Sequence, residues 1–231
     1  MKILAIDTST EACSAALNIN GEILTEFEIA PQQHSQLILG QCDKLLAAAQ
    51  LEASALDAVS FGCGPGSFTG LRIAAGVTQG IAFAADLPVI AISTLAAQAQ
   101  QIASKYPSLP ILSAIDARMK EVYWGLYRLD TTGIVISRTP EQVCSALSIH
   151  VQGNGKIVGV GSGWKAYSTD LQTALKSQDI TNIYADTLPS AEEIALLAAD
   201  KLQRGETLRA DKAVPVYLRN NVAIKTVDRK R

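Results

Sequence analysis

Ile3-Leu4-Ala5-Ile6-Asp7-Thr8-Ser9-Thr10 opens the chain as an apolar run stopped by a carboxylate and a Thr-Ser-Thr turn. Working outward from it, Cys13–Asn18 reads as a returning strand. Asn20-Gly21 is a hairpin signal, and Glu22–Ile29 reads as a third strand. The opening phrase then recurs 109 residues on, with Ala5-Ile6-Asp7 matched by Ala114-Ile115-Asp116. Leu17 of the returning strand is matched by Leu126, and Gly133 stands where Gly21 stood. Val59-Ser60-Phe61-Gly62-Cys63-Gly64 is echoed by Val158-Gly159-Val160-Gly161-Ser162-Gly163, a strand running into G-x-G both times. Their common order, more than any single match, predicts a duplicated lobe.

The segments between these strands complete the pattern. Ser35 is a plausible N-cap, and Ile38, Cys42, Leu45, Leu46 and Ala49 recur at helical spacing, which predicts a helix over 35–50. Asp57–Gly62 reads as a strand, the glycine-rich loop 62–70 leads into a helix over about 71–85, and Pro88–Ile92 is another strand. A helix near 95–104 precedes Tyr106-Pro107-Ser108-Leu109-Pro110, the best linker. The expected lobes are therefore 1–106 and 107–231. Ser190 and Glu193 form a capping-box pattern at the start of a late helix reaching about Arg204. Two βββαβα lobes facing each other give an α/β fold with the architecture of the actin and sugar-kinase superfamily, whose interlobe cleft holds nucleotide phosphates. Fold alone does not assign a function.

Composition narrows the classes. Of 231 residues, 48% are hydrophobic and 18% charged, enough apolar side chain for a real core. Net charge is −2 with a pI near 5.7, against the concentrated basic surface that a lone nucleic-acid binder needs. The one basic run, Arg229-Lys230-Arg231, reads as a solvated tail. Cys13, Cys42, Cys63 and Cys144 are scattered without metal spacing and read as reduced thiols. Asp7 interrupts the N-terminal apolar run too early for a signal peptide. Arg72, Gln79, Asp86 and Pro88 interrupt the apolar stretch 71–92, so no membrane span is expected. The expected location is the cytoplasm. His34 and His150 are distant in sequence and form no metal-binding pair; His34 reads as a surface or capping residue.

Three features could carry chemistry. The loop Gly62-Cys63-Gly64-Pro65-Gly66-Ser67-Phe68-Thr69-Gly70 runs from a strand into a helix, where backbone N–H groups could hold an anion. Asp7, Gly64, Gly66, Ser67 and Thr69 are the candidate anion or nucleotide contacts. The loop is no P-loop, because Leu71-Arg72 follows Gly70, and Thr69 breaks the dinucleotide fingerprint. A purely structural turn explains it as well. Asp7 and Asp116, at matching first turns, would hold Mg²⁺ or position water in an ATPase, but Asp7 could equally cap its turn. After Asp116, Ala117-Arg118-Met119 offers no glycine to wrap a phosphate, and Arg118 is suited to pair with a carboxylate or anion. The third feature is the helix over 71–85, apolar nearly all round, which implies burial inside the fold or at a partner. Arg72, Gly76, Gly80 and Ala84 share one stripe, and each interior glycine costs about 1 kcal/mol relative to alanine. That cost implies close helix packing, within the chain or against a partner.

Taken together, the opening ILAIDTST, Gly64-Pro65-Gly66-Ser67-Phe68-Thr69-Gly70-Leu71-Arg72, Ile115-Asp116-Ala117-Arg118-Met119-Lys120-Glu121-Val122-Tyr123-Trp124 and Pro215-Val216-Tyr217-Leu218-Arg219-Asn220-Asn221 resemble the TsaB (YeaZ) family, most closely its gamma-proteobacterial members. The resemblance spans essentially the whole chain. It implies a non-catalytic scaffold for tRNA threonylcarbamoyladenosine modification, dimerising with a TsaD-type catalytic subunit. A TsaE-type ATPase would join the assembly, and tRNA would be met only through the complex. No cofactor or metal is implied, with weak nucleotide binding and a homodimer in isolation left open. The family's pairing surface, carried onto this chain, uses the two N-terminal-lobe helices and so Leu37, Gln41, Arg72, Ile73, Gly76, Val77 and Gly80. It turns the small-residue stripe toward a partner. The rival classes are an active ATPase or kinase of the same fold, and an endopeptidase.

Overall fold

The computed structural model describes residues 1–219; Asn220, Asn221 and the basic run 229–231 lie outside the described residues. The first lobe runs β1 (Lys2–Asp7), β2 (Ala12–Ile19), β3 (Glu22–Ile29), α1 (His34–Ala48), β4 (Ala58–Gly64), α2 (Phe68–Ala84), β5 (Val89–Ser93) and α3 (Thr94–Ala103). The second runs β6 (Ile111–Asp116), β7 (Glu121–Leu129), β8 (Val135–Ser137), β9 (Gln142–Ser145), β10 (Lys156–Val160), α4 (Ser162–Ala166), α5 (Ser168–Ala174), β11 (Asp179–Tyr184) and α6 (Ala191–Gln203).

The duplication is visible in the ladders. The first sheet is ordered β3-β2-β1-β4-β5, and the second repeats that order as β8-β7-β6-β10-β11. In both, the opening strand pairs antiparallel with its hairpin partner and parallel with the strand before the G-x-G turn. Gly21 and Gly133 take positive φ (100° and 87°) at the equivalent hairpins. One departure is local. The third strand of the second lobe is broken into β8 and β9, which both pair with β7. Pro140 lies between the two pieces and has no N–H to extend a ladder.

The layers alternate helices and sheets. α1 and α2 cover the outer face of the first sheet, and α4 and α5 the outer face of the second. Between the sheets lie α3 and α6, sealing a shared core of Ile3, Ile90, Leu95, Ile102, Ile111, Val158 and Ile194. α6, although it follows the second sheet in sequence, packs on β1, β2, β4 and β5, whereas α3 packs on β6, β7 and β8. A boundary after residue 106 therefore separates the sheets but not the helices between them.

Three helix starts differ from expectation. α1 begins at His34 with Gln33 in the cap position and no side-chain cap; Ser35 is exposed within the first turn. α2 begins at Phe68, three residues early, because Ser67 Oγ accepts from the Gly70 amide at 3.3 Å. Ser190 caps α6 as expected, but through the Glu192 amide (3.2 Å) rather than that of Glu193.

Candidate functional site

A cleft of about 730 Å³ opens between the lobes. Its first-lobe side is made by the β1–β2 turn and the β4–α2 loop, and its second-lobe side by the β6–β7 turn and α4. The C-terminal residues Val216–Arg219 form a further wall.

On the first-lobe side, the glycines serve close packing. A Cβ on Gly66 would lie 2.5 Å from the Ser9 carbonyl oxygen, and one on Gly70 would collide with the Thr8 carbonyl. Thr8 Oγ1 donates to the Gly70 carbonyl (2.7 Å), and the Ser67 amide donates to the Ser9 carbonyl (2.7 Å). These loop polar groups are thus used to clamp the β1–β2 turn onto the start of α2. Gly64, at φ 119°, meets the Val216 carbonyl, so its position too is structural. Of the five candidate contacts, Gly66 and Ser67 reach the cleft, Gly64 sits under the C-terminal wall, and Thr69 is exposed on α2 away from the lining. Gly70→Ala is expected to cost roughly 3 kcal/mol or more through backbone overlap. Thermal denaturation should show a midpoint about 6–12 °C lower.

Asp7 lies beneath the cleft wall and is only 2% exposed. It is not a cleft contact. Oδ1 accepts from the Ser9 amide at 2.7 Å, the turn-capping role, while Oδ2 has no partner among the described residues. Burial pushes its pKa up to about 6, against the pull of its hydrogen bonds to Ser9. Glu193 is likewise raised, to about 7, by burial. The sign follows from proton linkage. Native Asp7 holds its proton more tightly than the unfolded chain, so the stability it contributes is present at acid pH and lost as pH rises from about 4 through 6. Asp7→Asn should therefore stabilise the protein at pH 8 by up to about 3 kcal/mol and give almost nothing at pH 4. Urea unfolding at the two pH values checks both the sign and the window.

The second-lobe turn is built differently. Asp116 Oδ1 accepts from the Arg118 amide (2.7 Å) and the Tyr167 hydroxyl (2.9 Å), and Oδ2 from the Arg118 guanidinium (3.0 Å). The expected carboxylate partner of Arg118 is thus Asp116 itself. Arg118, Met119 and Lys120 all have left-handed φ, of 63°, 56° and 63°. Each costs about 1–2 kcal/mol relative to the right-handed region. His34 is buried at the start of α1, its Nε2 unpartnered, and is neither a surface nor a capping residue; His150 is exposed in the second lobe. Among the described residues no group of three or more His, Cys, Asp or Glu side chains is placed to hold a metal ion.

The helical face is the other candidate. α2 is not enclosed all round. Leu71, Ala74, Ala75, Thr78 and Ala82 face the core, while Arg72, Gly76, Gly80 and Ala84 face outward. A Cβ on Gly76 or Gly80 would meet none of the described residues within 4 Å. Ile73 and Val77 flank the stripe half-buried, and Phe83 is 84% exposed beside it. Leu37 on α1 is half-buried. Gln41 requires correction: it turns inward, where its amide donates to the Cys13 carbonyl (3.4 Å) and its oxygen accepts from the Cys13 thiol (3.6 Å). Helical phase places Gln41 with Ile38, Cys42 and Leu45 on the sheet-facing side. Leu39 and Gly40, by contrast, are exposed on α1.

Two like sheets packed through α3 and α6, each opening on an acidic hairpin turn beside the cleft, define an actin-like two-lobed protein. The family model described as "TsaD: tRNA N6-adenosine threonylcarbamoyltransferase" matches residues 26–226. The chain is 42% identical to the tRNA threonylcarbamoyladenosine biosynthesis protein TsaB of Escherichia coli, over 97% of both chains. It is 41% identical to TsaB of Haemophilus influenzae, over 97% of this chain and 96% of that one. Its structure matches that of YeaZ from Pseudomonas aeruginosa with a TM-score of 0.87 and 42% identity, covering 94% of this chain and 99% of the other. The chain belongs to the TsaB (YeaZ) family.

Proposed function

We propose that this chain is a non-catalytic subunit of tRNA threonylcarbamoyladenosine biosynthesis that acts by pairing with a TsaD-type subunit through the α1–α2 face. Its near full-length likeness to proteins named for that biosynthesis supports the pathway. The observation that carries the pairing is the outward stripe of Arg72, Gly76, Gly80 and Ala84, where a partner backbone could approach closely. Such a stripe retains glycines, at about 1 kcal/mol each in helix propensity, where packing demands them.

The cleft supports an accessory role. Asp7 lies under the wall, Asp116 is held by Arg118 and Tyr167, and the glycine loop clamps its own lobe. A scaffold favours one conformer of its partner only through greater affinity for it, so the catalytic groups would reside on the TsaD-type subunit. A TsaE-type ATPase would complete the assembly, tRNA would engage only the complex, and the free chain could self-associate through the same face. Nucleotide binding in the cleft would be weak at most. The site of action would be the cytoplasm; among the described residues no helix is long and apolar enough to cross a membrane.

Mixing the purified chain with the TsaD-type protein of the same organism should give a stoichiometric complex on size exclusion with light scattering. The chain alone should not turn over ATP. Turnover above about 1 s⁻¹, within the ordinary enzyme range, that disappears in Asp7→Ala would establish the ATPase reading instead.

A further inference from the structure

We propose that residues 213–219 form a strap that fixes the two lobes to each other along one wall of the cleft. After α6 the chain returns to the first lobe, where Leu208 and Val89 exchange backbone hydrogen bonds of 2.7 and 2.8 Å. It then follows α2 toward its N-terminus. Gln79 on α2 donates to the Ala213 carbonyl (2.9 Å), and the Val216 amide donates to the carbonyl of Cys63 at the end of β4 (2.8 Å). Tyr217 packs against Phe68 with ring centroids 5.6 Å apart and the ring planes tilted by 37°, and its hydroxyl accepts from Arg72 Nε at 3.2 Å. Arg72 in turn lies 3.7 Å over the Phe68 ring.

Each of these contacts is to the first lobe. Two residues later the strap reaches the second. Arg219 donates to the Ala117 carbonyl (3.0 Å) and to the Glu121 carboxylate, one at each end of the β6–β7 turn. Its side chain is only 19% exposed, whereas that of Glu121 is 38% exposed, so the Arg219 end of these charge-assisted bonds is partly shielded from competing water. The turn it bridges is the one that carries three consecutive left-handed residues. Arg219 thus ties a strained second-lobe turn to a segment anchored on β4 and α2. The separation of the two cleft walls at this edge is set by that tie as well as by the shared core. The inference rests on contacts within the chain and does not depend on the partner assignment.

Hydrogen exchange with mass spectrometry on the isolated chain tests it, because each end of the strap reports on a substitution at the other. Tyr217→Ala removes only first-lobe contacts. It should nevertheless speed exchange in peptides covering 117–121 by roughly fivefold or more, as expected when a local unit loses its tether. Arg219→Ala should speed exchange in peptides covering 213–217 to a like extent, with β2 peptides unchanged in both variants. Tyr217→Phe, which keeps the ring and loses only the hydroxyl, gives the same pattern at smaller amplitude if the alanine variant fails to fold. Unchanged exchange at the far end in either direction overturns the strap, as does acceleration spread equally over all peptides including β2.

Discussion

Leucine at Gly76 is expected to weaken association with the TsaD-type subunit roughly 5- to 150-fold while leaving the isolated chain folded. The magnitude is the usual 1–3 kcal/mol of overpacking at a close helix contact, converted at 1.4 kcal/mol per tenfold. The sign for the free chain is opposite. Gly76 lies in the interior of α2 with ordinary helical φ, and none of the described residues stands within 4 Å of where its Cβ would be. Replacing it should raise helix propensity by up to about 1 kcal/mol. The variant should therefore melt at the same temperature as the parent, or slightly above, while titration calorimetry shows the lost affinity. A variant that melts well below the parent would place the stripe in an internal contact; one that melts normally and binds normally would move the partner face elsewhere.

Much of the fold was legible in the sequence because duplication writes the same local chemistry twice. Asp7 and Asp116 end equivalent strands, Gly21 and Gly133 turn equivalent hairpins, and the G-x-G sequences fall at the ends of equivalent parallel strands, within β4 and just after β10. What local pattern could not convey is how the halves exchange helices. α6 and α3 are each amphipathic, but nothing in their periodicity says which sheet they cover. The site was less legible for the same reason. GPGSFTG reads equally as an anion cradle or as a clamp, and the deciding contacts come from Ser9 and Thr8, about sixty residues away. Gln41 was legible locally, since helical phase puts it on the same face as Ile38, Cys42 and Leu45; what its polarity hid was a buried partner, Cys13 on β2. Arg219 gave no local signal at all; its partners lie about a hundred residues upstream, at Ala117 and Glu121.

The second large effect is expected in the cell. Removing this protein should abolish threonylcarbamoyladenosine in tRNA, even though the proposed role leaves the transfer itself to the TsaD-type subunit. The case is physical as well as comparative. A chain whose described residues bury Asp7, pair Asp116 with Arg118 and leave a small-residue helix face open is better equipped to bind a partner than to use those two carboxylates in the cleft. If the catalytic conformer of the TsaD-type subunit is favoured only while this face is occupied, losing the chain removes the activity as surely as losing the enzyme. Re-expression of the parent should restore the nucleoside, and Gly76→Leu should restore it only when overproduced, since mass action can offset a weakened contact. Nucleoside mass spectrometry of total tRNA after depletion is the most direct measurement. The account predicts that the modified adenosine falls to background as the protein disappears, whereas an unchanged level with the protein verifiably gone would contradict it.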